Sequence, residues 1–478
     1  MAKPSSILNI FRVFPDAAKG AFAILFMVNS LVGCEGIWSS TEQETDPHLA
    51  KRELKVAGLV HPLSISAQSS SGFEHDLIEK FAAEKNYRVT WQLFKSAEEA
   101  TSSLEHNNSD LAAARLNLNL ASANQETFMA GPTYEEAPLS LICPRVNLGA
   151  KDEESSLFQK LFGERTKIPE SVKTVMAQGT DLVGEWQGRF NAYYPGLKLL
   201  SVAKLQAKDL LKTVGKERTA CALVEKNEAQ FYLRFFPTLQ IVRDLSPPMS
   251  LGFLINKNKP DLQRELFSWF QKASRNHQIE HLRDLYFSHF SALSEMDEVR
   301  FYRDTEGLMK ELAPHFKKVA KEFALPWTLL AAVAYQESHW DNEAESFTGV
   351  KGIMMLTRKT AEHVGIEDRE DMEQSLWGGA KYLRWLIDSQ PKNLPRRQRL
   401  VLALATYNVG PAHMIDAQKL AEQFGFNPNS WSDLKKVLPL LSKPEYYDNL
   451  DYGEARGQEP IDFANRVMSY YELLSTKI

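Results

Sequence analysis

Pro326-Trp327-Thr328-Leu329-Leu330-Ala331-Ala332-Val333-Ala334-Tyr335-Gln336-Glu337-Ser338-His339 reads as a helix from Trp327 to about His339, and it sets the class of everything around it. Proline opens the run, at the one helical position where a missing N–H costs nothing. Leu329, Val333 and Glu337 share a face at steps of four, with Leu330 and Ala334 beside them, so a glutamate continues an apolar stripe. A glutamate near a helix end is ordinarily solvated. If this one points inward, desolvation and the negative end of the helix dipole both raise its pKa. A carboxyl still protonated near neutral pH can donate to a leaving oxygen.

Upstream, Phe301 to Phe323 repeats Leu308, Leu312, Phe316, Val319 and Phe323 at threes and fours, which predicts another helix. From about Glu295 to Ile478 the pattern is helices almost alone, whereas before it strands and helices alternate. Strand-like Leu54–Val60 precedes a helical stretch over 76–83, a strand over 88–94 and a helix over 96–104. Further strands are predicted at Leu139–Cys143, Thr174–Ala177, Cys221–Val224 and Ser250–Ile255, with helices over 203–214 and 261–274. Such alternation implies a largely parallel sheet with helices on its faces, in two tandem lobes. The division is therefore a leader over 1–33, a polar tether over 34–52, an α/β domain over 53–292 and a mainly α domain over 293–478.

Composition agrees with a multidomain chain. At roughly 100–200 residues per domain, 478 residues predict two to four folding units. With 44% hydrophobic and 24% charged residues, collagen-like, coiled-coil and largely disordered readings are excluded. Lys+Arg 56 against Asp+Glu 61 leaves a net charge of −5, without the basic excess that binding nucleic acid needs. Three cysteines, Cys34, Cys143 and Cys221, are too few for a disulfide scaffold and lack zinc or redox spacing.

Lys3, Arg12 and Lys19, then apolar Ala21–Val28, then Leu31-Val32-Gly33-Cys34 have the order of an export signal. Leu-Val-Gly-Cys resembles the lipobox of bacterial lipoproteins, which would make Cys34 the site of lipid attachment; a plain signal peptide and an uncleaved anchor are the other readings. Glu35 in place of Asp, by the same resemblance, favours the outer membrane. Cys143 and Cys221 then lie in a compartment that permits disulfides, and either pair or stay as buried thiols.

Gly72-Phe73-Glu74-His75-Asp76-Leu77, Ser109-Asp110-Leu111-Ala112-Ala113, Gly131-Pro132-Thr133-Tyr134 and Leu282-Arg283-Asp284-Leu285-Tyr286-Phe287 resemble type II periplasmic solute-binding proteins of family 3. In amino-acid binders of that family an arginine shortly after the Asp-Leu-Ala-Ala strand clamps the ligand carboxylate. Here Ala121-Ser122-Ala123-Asn124-Gln125 lacks it, so free amino acids are not the expected ligand and a muropeptide is a candidate. Glu225 lies where the family often holds the ligand's ammonium; a solvated loop carboxylate is the alternative.

Glu337-Ser338-His339-Trp340, Ser346-Phe347-Thr348-Gly349-Val350-Lys351-Gly352-Ile353-Met354-Met355-Leu356-Thr357 and Ala405-Thr406-Tyr407-Asn408-Val409-Gly410 resemble the lytic transglycosylases with a lysozyme-like domain. With solute-binding lobes ahead of it, the whole arrangement resembles the F-type membrane-bound branch. The resemblance implies a periplasmic enzyme at the outer membrane, held by a lipid anchor or peripherally, that cleaves peptidoglycan glycan strands with no cofactor and no metal. Glu337 would be the single catalytic carboxylate, acting first as acid and then as base. Ser338, Ser346 and Thr348 would hold the substrate's N-acetyl group or the glutamate, with loop capping as the other role. Met354, Met355, Tyr407 and Asn408 would line the substrate side, Asn408 with backbone capping as its other role. Glu459, four residues before Phe463, resembles a cleft glutamate. Met355 stands where the broader family has Gln, and Phe463 where a Tyr is usual. Trp377 and Trp385 are expected in the core. Two rival functions share these residues: a hydrolase of the goose-lysozyme kind, and a muropeptide-binding protein with an inactive catalytic domain.

Overall fold

Strand β1 (Arg52–Leu59) begins with its first residues exposed and ends fully buried, and from it an eight-stranded mixed sheet grows in both directions. The computed structural model describes residues 51–66, 71–121, 127–145, 168–178, 180–202, 205–347 and 349–477. The leader, Cys34, the tether up to residue 50 and Thr348 lie outside the described residues.

The other strands are β2 (Tyr87–Phe94), β3 (Leu111–Asn117), β4 (Phe128–Pro144), β5 (Thr174–Ala177), β6 (Lys198–Ser201), β7 (Ala220–Glu225) and β8 (Leu239–Asn256). Their order is β2-β1-β3-β8-β4-β7-β5-β6. Strands β2-β1-β3 are mutually parallel and meet β8 antiparallel, while β6-β5-β7 are mutually parallel and meet β4 antiparallel. The two halves repeat one topology, which makes two lobes. Strand β7 is buried at every position, as a central strand covered on both faces should be, whereas edge strand β2 alternates.

The expectation of a largely parallel sheet therefore needs correction, because β4 and β8 run antiparallel to each other and pass through both lobes. Only their second halves were predicted as strands, and prolines explain why. Pro132, Pro138, Pro247 and Pro248 fall in the register shifts of the β4–β8 ladder, where no ladder N–H is needed. The short strand β6 is also absent from the prediction. Cys143 and Cys221 form a disulfide between neighbouring β4 and β7, which settles the open pairing.

Helices α1 (Phe73–Glu84), α2 (Pro260–Arg275) and α3 (Gln278–Phe287) cover the first lobe, and after a short turn at Ser288–Ser291 the chain is helical. The predicted single helix over 301–323 is two, α4 (Glu295–Gly307) and α5 (Met309–Glu322), meeting at Leu308, directly after a glycine with low helix propensity. Next come α6 (Trp327–Ser338), α7 (Met372–Ser389), α8 (Arg396–Val409) and, last, α9 (Glu459–Lys477). Helix α6 packs on α5 and α9, and α8 packs on α7 and α9. Thr328 to Tyr335 are all buried, so α6 is a core helix rather than a surface one. Tyr335, Phe301, Trp340 and Tyr470 form a ring cluster with centroids 4.6 to 5.7 Å apart that fixes the end of α6 carrying Glu337.

Candidate active site

Glu337 is the penultimate residue of α6, and the chain turns sharply after it through left-handed His339 (φ 53°) and Trp340 (φ 64°). Trp340 is buried and its indole N–H donates to Ala331 O at 2.7 Å, which folds the turn back onto the helix. Glu337 itself is half-buried, and its carboxylate accepts no hydrogen bond among the described residues. Burial alone pushes its pKa up to about 8 from 4.5, with no neighbouring charge contributing. That is the environment of a carboxylic acid protonated at neutral pH.

Facing this helix end is the loop from Glu345 to Thr357, in whose first part Glu345 and Lys351 form an antiparallel bridge. Ser338 is buried; its hydroxyl donates to Ile353 O at 2.9 Å and lies 3.1 Å from Ala334 O. Tyr407, near the end of α8, donates to the next carbonyl, Met354 O, at 3.2 Å. Two side chains from two helices thus hold consecutive carbonyls of one loop. The Tyr407 phenol is raised well above its ordinary pKa by burial and then by the charge of Glu337, so it stays protonated and close to the carboxylate. Phe463 stacks on Tyr407 at 6.0 Å and 6°, and Tyr382 meets it at 5.4 Å.

The loop's own conformation needs glycine at Gly352. Its φ is 91°, and a Cβ there would stand 2.1 Å from Arg369 O. Arg369 in turn donates to Leu356 O at 2.9 Å and Gly349 O at 3.3 Å, Ser375 accepts from Met354 N at 3.3 Å, and Asn342 accepts from Ile353 N at 3.3 Å. Sequence reasoning missed Asn342, Arg369 and Ser375, because each bonds backbone across the fold and none belongs to a local pattern. Met355 takes a left-handed conformation (φ 47°) that non-glycine residues rarely adopt.

Several expected roles need correction. The Ser338 hydroxyl proton goes to backbone carbonyls, the loop-capping role. Ser346 accepts from Val350 N at 2.9 Å and so takes the loop-capping alternative. The Met354 side chain is fully buried against Gly379, so this residue can offer substrate only its backbone. Met355 is half-buried beside it. Asn408 is exposed and its side chain caps nothing among the described residues. Glu459 opens α9 on the surface, where Arg456 donates to it at 3.0 Å, and is not brought to Glu337 by any described contact. Trp385, expected in the core, is 43% exposed; Trp377 is half-buried and donates to Glu322 at 3.1 Å.

A cavity of about 520 Å³ separates the two lobes. Arg115, on β3 itself in a left-handed conformation (φ 52°), lines it and pairs with Glu225 at the end of β7. Glu225 is buried and also accepts from Asn227 N and Glu228 N at 2.8 and 3.0 Å, so it is no solvated loop carboxylate. His61 pairs with Glu228 at 2.9 Å. Both pairs cross from one lobe to the other. Among the described residues, Arg115 Nη1 and Asn117 Nδ2 are buried without partners.

Comparison with known proteins bears on both parts. Residues 314–429 match the Transglycosylase SLT domain family. Membrane-bound lytic murein transglycosylase F 2 of Alkalilimnicola ehrlichii is 33% identical over 405 residues, 84% of this chain and 86% of that protein. Membrane-bound lytic murein transglycosylase F of Mannheimia succiniciproducens is 32% identical over 454 residues, 94% of this chain and 90% of that one. Among solved structures, the VFT2 domain of Bordetella pertussis BvgS (a double mutant) covers 50% of this chain and 93% of its own, at 16% identity and a TM-score of 0.38. At such identity and coverage, with Glu337, Ser338 and Tyr407 gathered around one loop, the chain belongs to the membrane-bound lytic murein transglycosylase F family.

Proposed function

We propose that this chain is a lytic transglycosylase that cleaves the bond between N-acetylmuramic acid and N-acetylglucosamine in peptidoglycan without water. The observation that carries the reading is Glu337: one carboxyl, raised by burial alone to about 8, with no charged neighbour acting on it. Glycosidases in general place a second carboxylate nearby as nucleophile or base. With one, the same group serves twice. Glu337 gives its proton to the glycosidic oxygen as the C1–O bond breaks, and the substrate's own N-acetyl group supports C1. The carboxylate then removes the proton from the C6 hydroxyl, and that oxygen closes on C1 to leave a 1,6-anhydro ring. Protons balance: one leaves Glu337 and one returns.

Tyr407 keeps its phenol proton and holds the Met354 carbonyl, and Ser338 holds Ile353, so both are positioning residues for the loop that faces the acid. Residues 293–478 form the catalytic domain and 53–292 a two-lobed sensing domain, whose cavity with Arg115, Asn117, Glu225 and Glu228 suits a zwitterionic peptide of the muropeptide class. The chain acts on the periplasmic side of the outer membrane, with Cys34 as the candidate lipid attachment.

The test is product analysis of purified murein digested by the wild type and by Glu337→Gln. Anhydro ends, lighter by one water than reducing ends, are expected from the wild type and no cleavage from the variant. Reducing ends would mean hydrolysis, and an active variant would remove Glu337 from the chemistry.

A further inference from the structure

Another cavity, of about 380 Å³, lies where the two lobes meet the helical domain, and the reaction above does not use it. Its volume is within the range of small-molecule sites. One wall is apolar, with Leu325 and Leu329 from the start of α6, Leu400 from α8 and Met468 from α9. The charged side chains of its lining are Lys208, Arg384, Arg396, Arg397 and a single carboxylate, Glu472.

That carboxylate is already committed. Glu472 pairs with His289 at 2.7 Å, with Arg397 at 2.9 Å and with Arg234 at 3.4 Å. Arg384 is held by Asp388. Arg396 has no hydrogen-bond or ion-pair partner among the described residues, and Lys208 has no acidic partner there: it reaches Thr476 O at 3.5 Å and lies over the Phe235 ring, 6.0 Å from its centroid. Positive charge is thus left over beside an apolar wall. Arg396 is moreover the first residue of α8, where the helix dipole disfavours a cation, and unlike Arg397 beside it has no carboxylate partner among the described residues. Pro395, at the cap, offers no side-chain acceptor to offset this. A local preference broken in this way, without compensation among the described residues, is expected where a ligand completes the site.

We propose that this junction binds a small amphiphilic anion, a carboxylate or phosphate monoester on an apolar body, with its head at Arg396 in the field of Lys208 and Arg397 and its body against Leu329, Leu400 and Met468. Such a ligand touches both lobes, through Lys208 and His61, and the first turns of α6 and α8, whose far ends carry Glu337 and Tyr407. It therefore ties the lobes to the two helices that build the active site.

Calorimetric titration of the full chain tests this with decanoate, decyl phosphate, inorganic phosphate and decanol. Saturable one-site binding is expected for decanoate, decyl phosphate or both, which also tells the two head groups apart. Inorganic phosphate and decanol should each bind at least about tenfold more weakly, a difference of about 1.4 kcal/mol. Arg396→Glu, an exposed change that leaves the fold intact, and Leu400→Trp, which fills the cavity, should each weaken the amphiphile by about tenfold or more. Murein cleavage by Arg396→Glu without added ligand should equal the wild type. The proposal fails if neither amphiphile binds, if decanol binds as well as they do, or if Arg396→Glu binds with wild-type affinity. Because the readout is heat of binding, its failure is separate from any failure of the lytic reaction.

Discussion

Glu337 carries two opposite dependences on pH that one variant separates. Its folded-state pKa of about 8 lies above the ordinary 4.5, so the folded chain holds a proton that the unfolded chain has lost between those values. Stability is fully present below pH 4.5 and declines as pH rises through about 8, at about 1.4 kcal/mol per unit of difference. Glu337→Gln should therefore be inactive yet more stable than the wild type above pH 8, with the two converging near pH 5 in thermal melts. Cleavage by the wild type should fall as pH rises through about 8, as an acid catalyst deprotonates. Tyr407→Phe leaves the buried Met354 carbonyl without its donor, a cost of about 1–3 kcal/mol, and should slow murein cleavage while circular dichroism stays unchanged. Glu337 was legible in the sequence because a helical period points at it. Arg115 was not: it interrupts the run Ala112-Ala113-Ala114, and its partner Glu225 is 110 residues away, beyond the reach of any local spacing.

Among elements, the loop after α6 and the strand pair β4–β8 are the most exacting. Gly352→Ala must either push Arg369 O aside or abandon φ 91°; a loss of about 1–3 kcal/mol with lower activity is expected in chemical denaturation and murein assays. Reducing the disulfide between β4 and β7 should cost the second lobe about 2–4 kcal/mol, read as a lower melting temperature in dithiothreitol. Helix α6 could be placed to within a residue because proline opens it and its apolar run is unbroken. The strands β4 and β8 were half hidden, since prolines that normally argue against a strand sit at bulges where the ladder tolerates them. The break between α4 and α5 left only Gly307 as its signal, inside an apolar period that continues across it.

At the scale of the whole molecule, the lobes and the helical domain are joined through His289, Arg234, Arg397 and Glu472. Burial lowers the His289 pKa to about 4, despite Glu472 beside it. Burial alone would raise Glu472, but His289 and Arg397 outweigh it and hold the carboxyl well below its ordinary value. Both shifts have the same sign for stability: the unfolded chain takes up more protons, so the junction weakens as pH falls from 6.5 towards 4 and further below. Calorimetric melts over that range should show the decline, and His289→Asn should flatten its upper part. The passage from mixed strands and helices to helices alone was readable from the change of periodicity, but this junction was not, because its four members come from four separate elements.

The lobe-to-lobe pairs Arg115–Glu225 and His61–Glu228 have one more consequence. The two jaws are clasped by their own side chains. A visitor must first unfasten them, so its measured affinity understates the strength of its contacts by the fraction of time the clasp is undone.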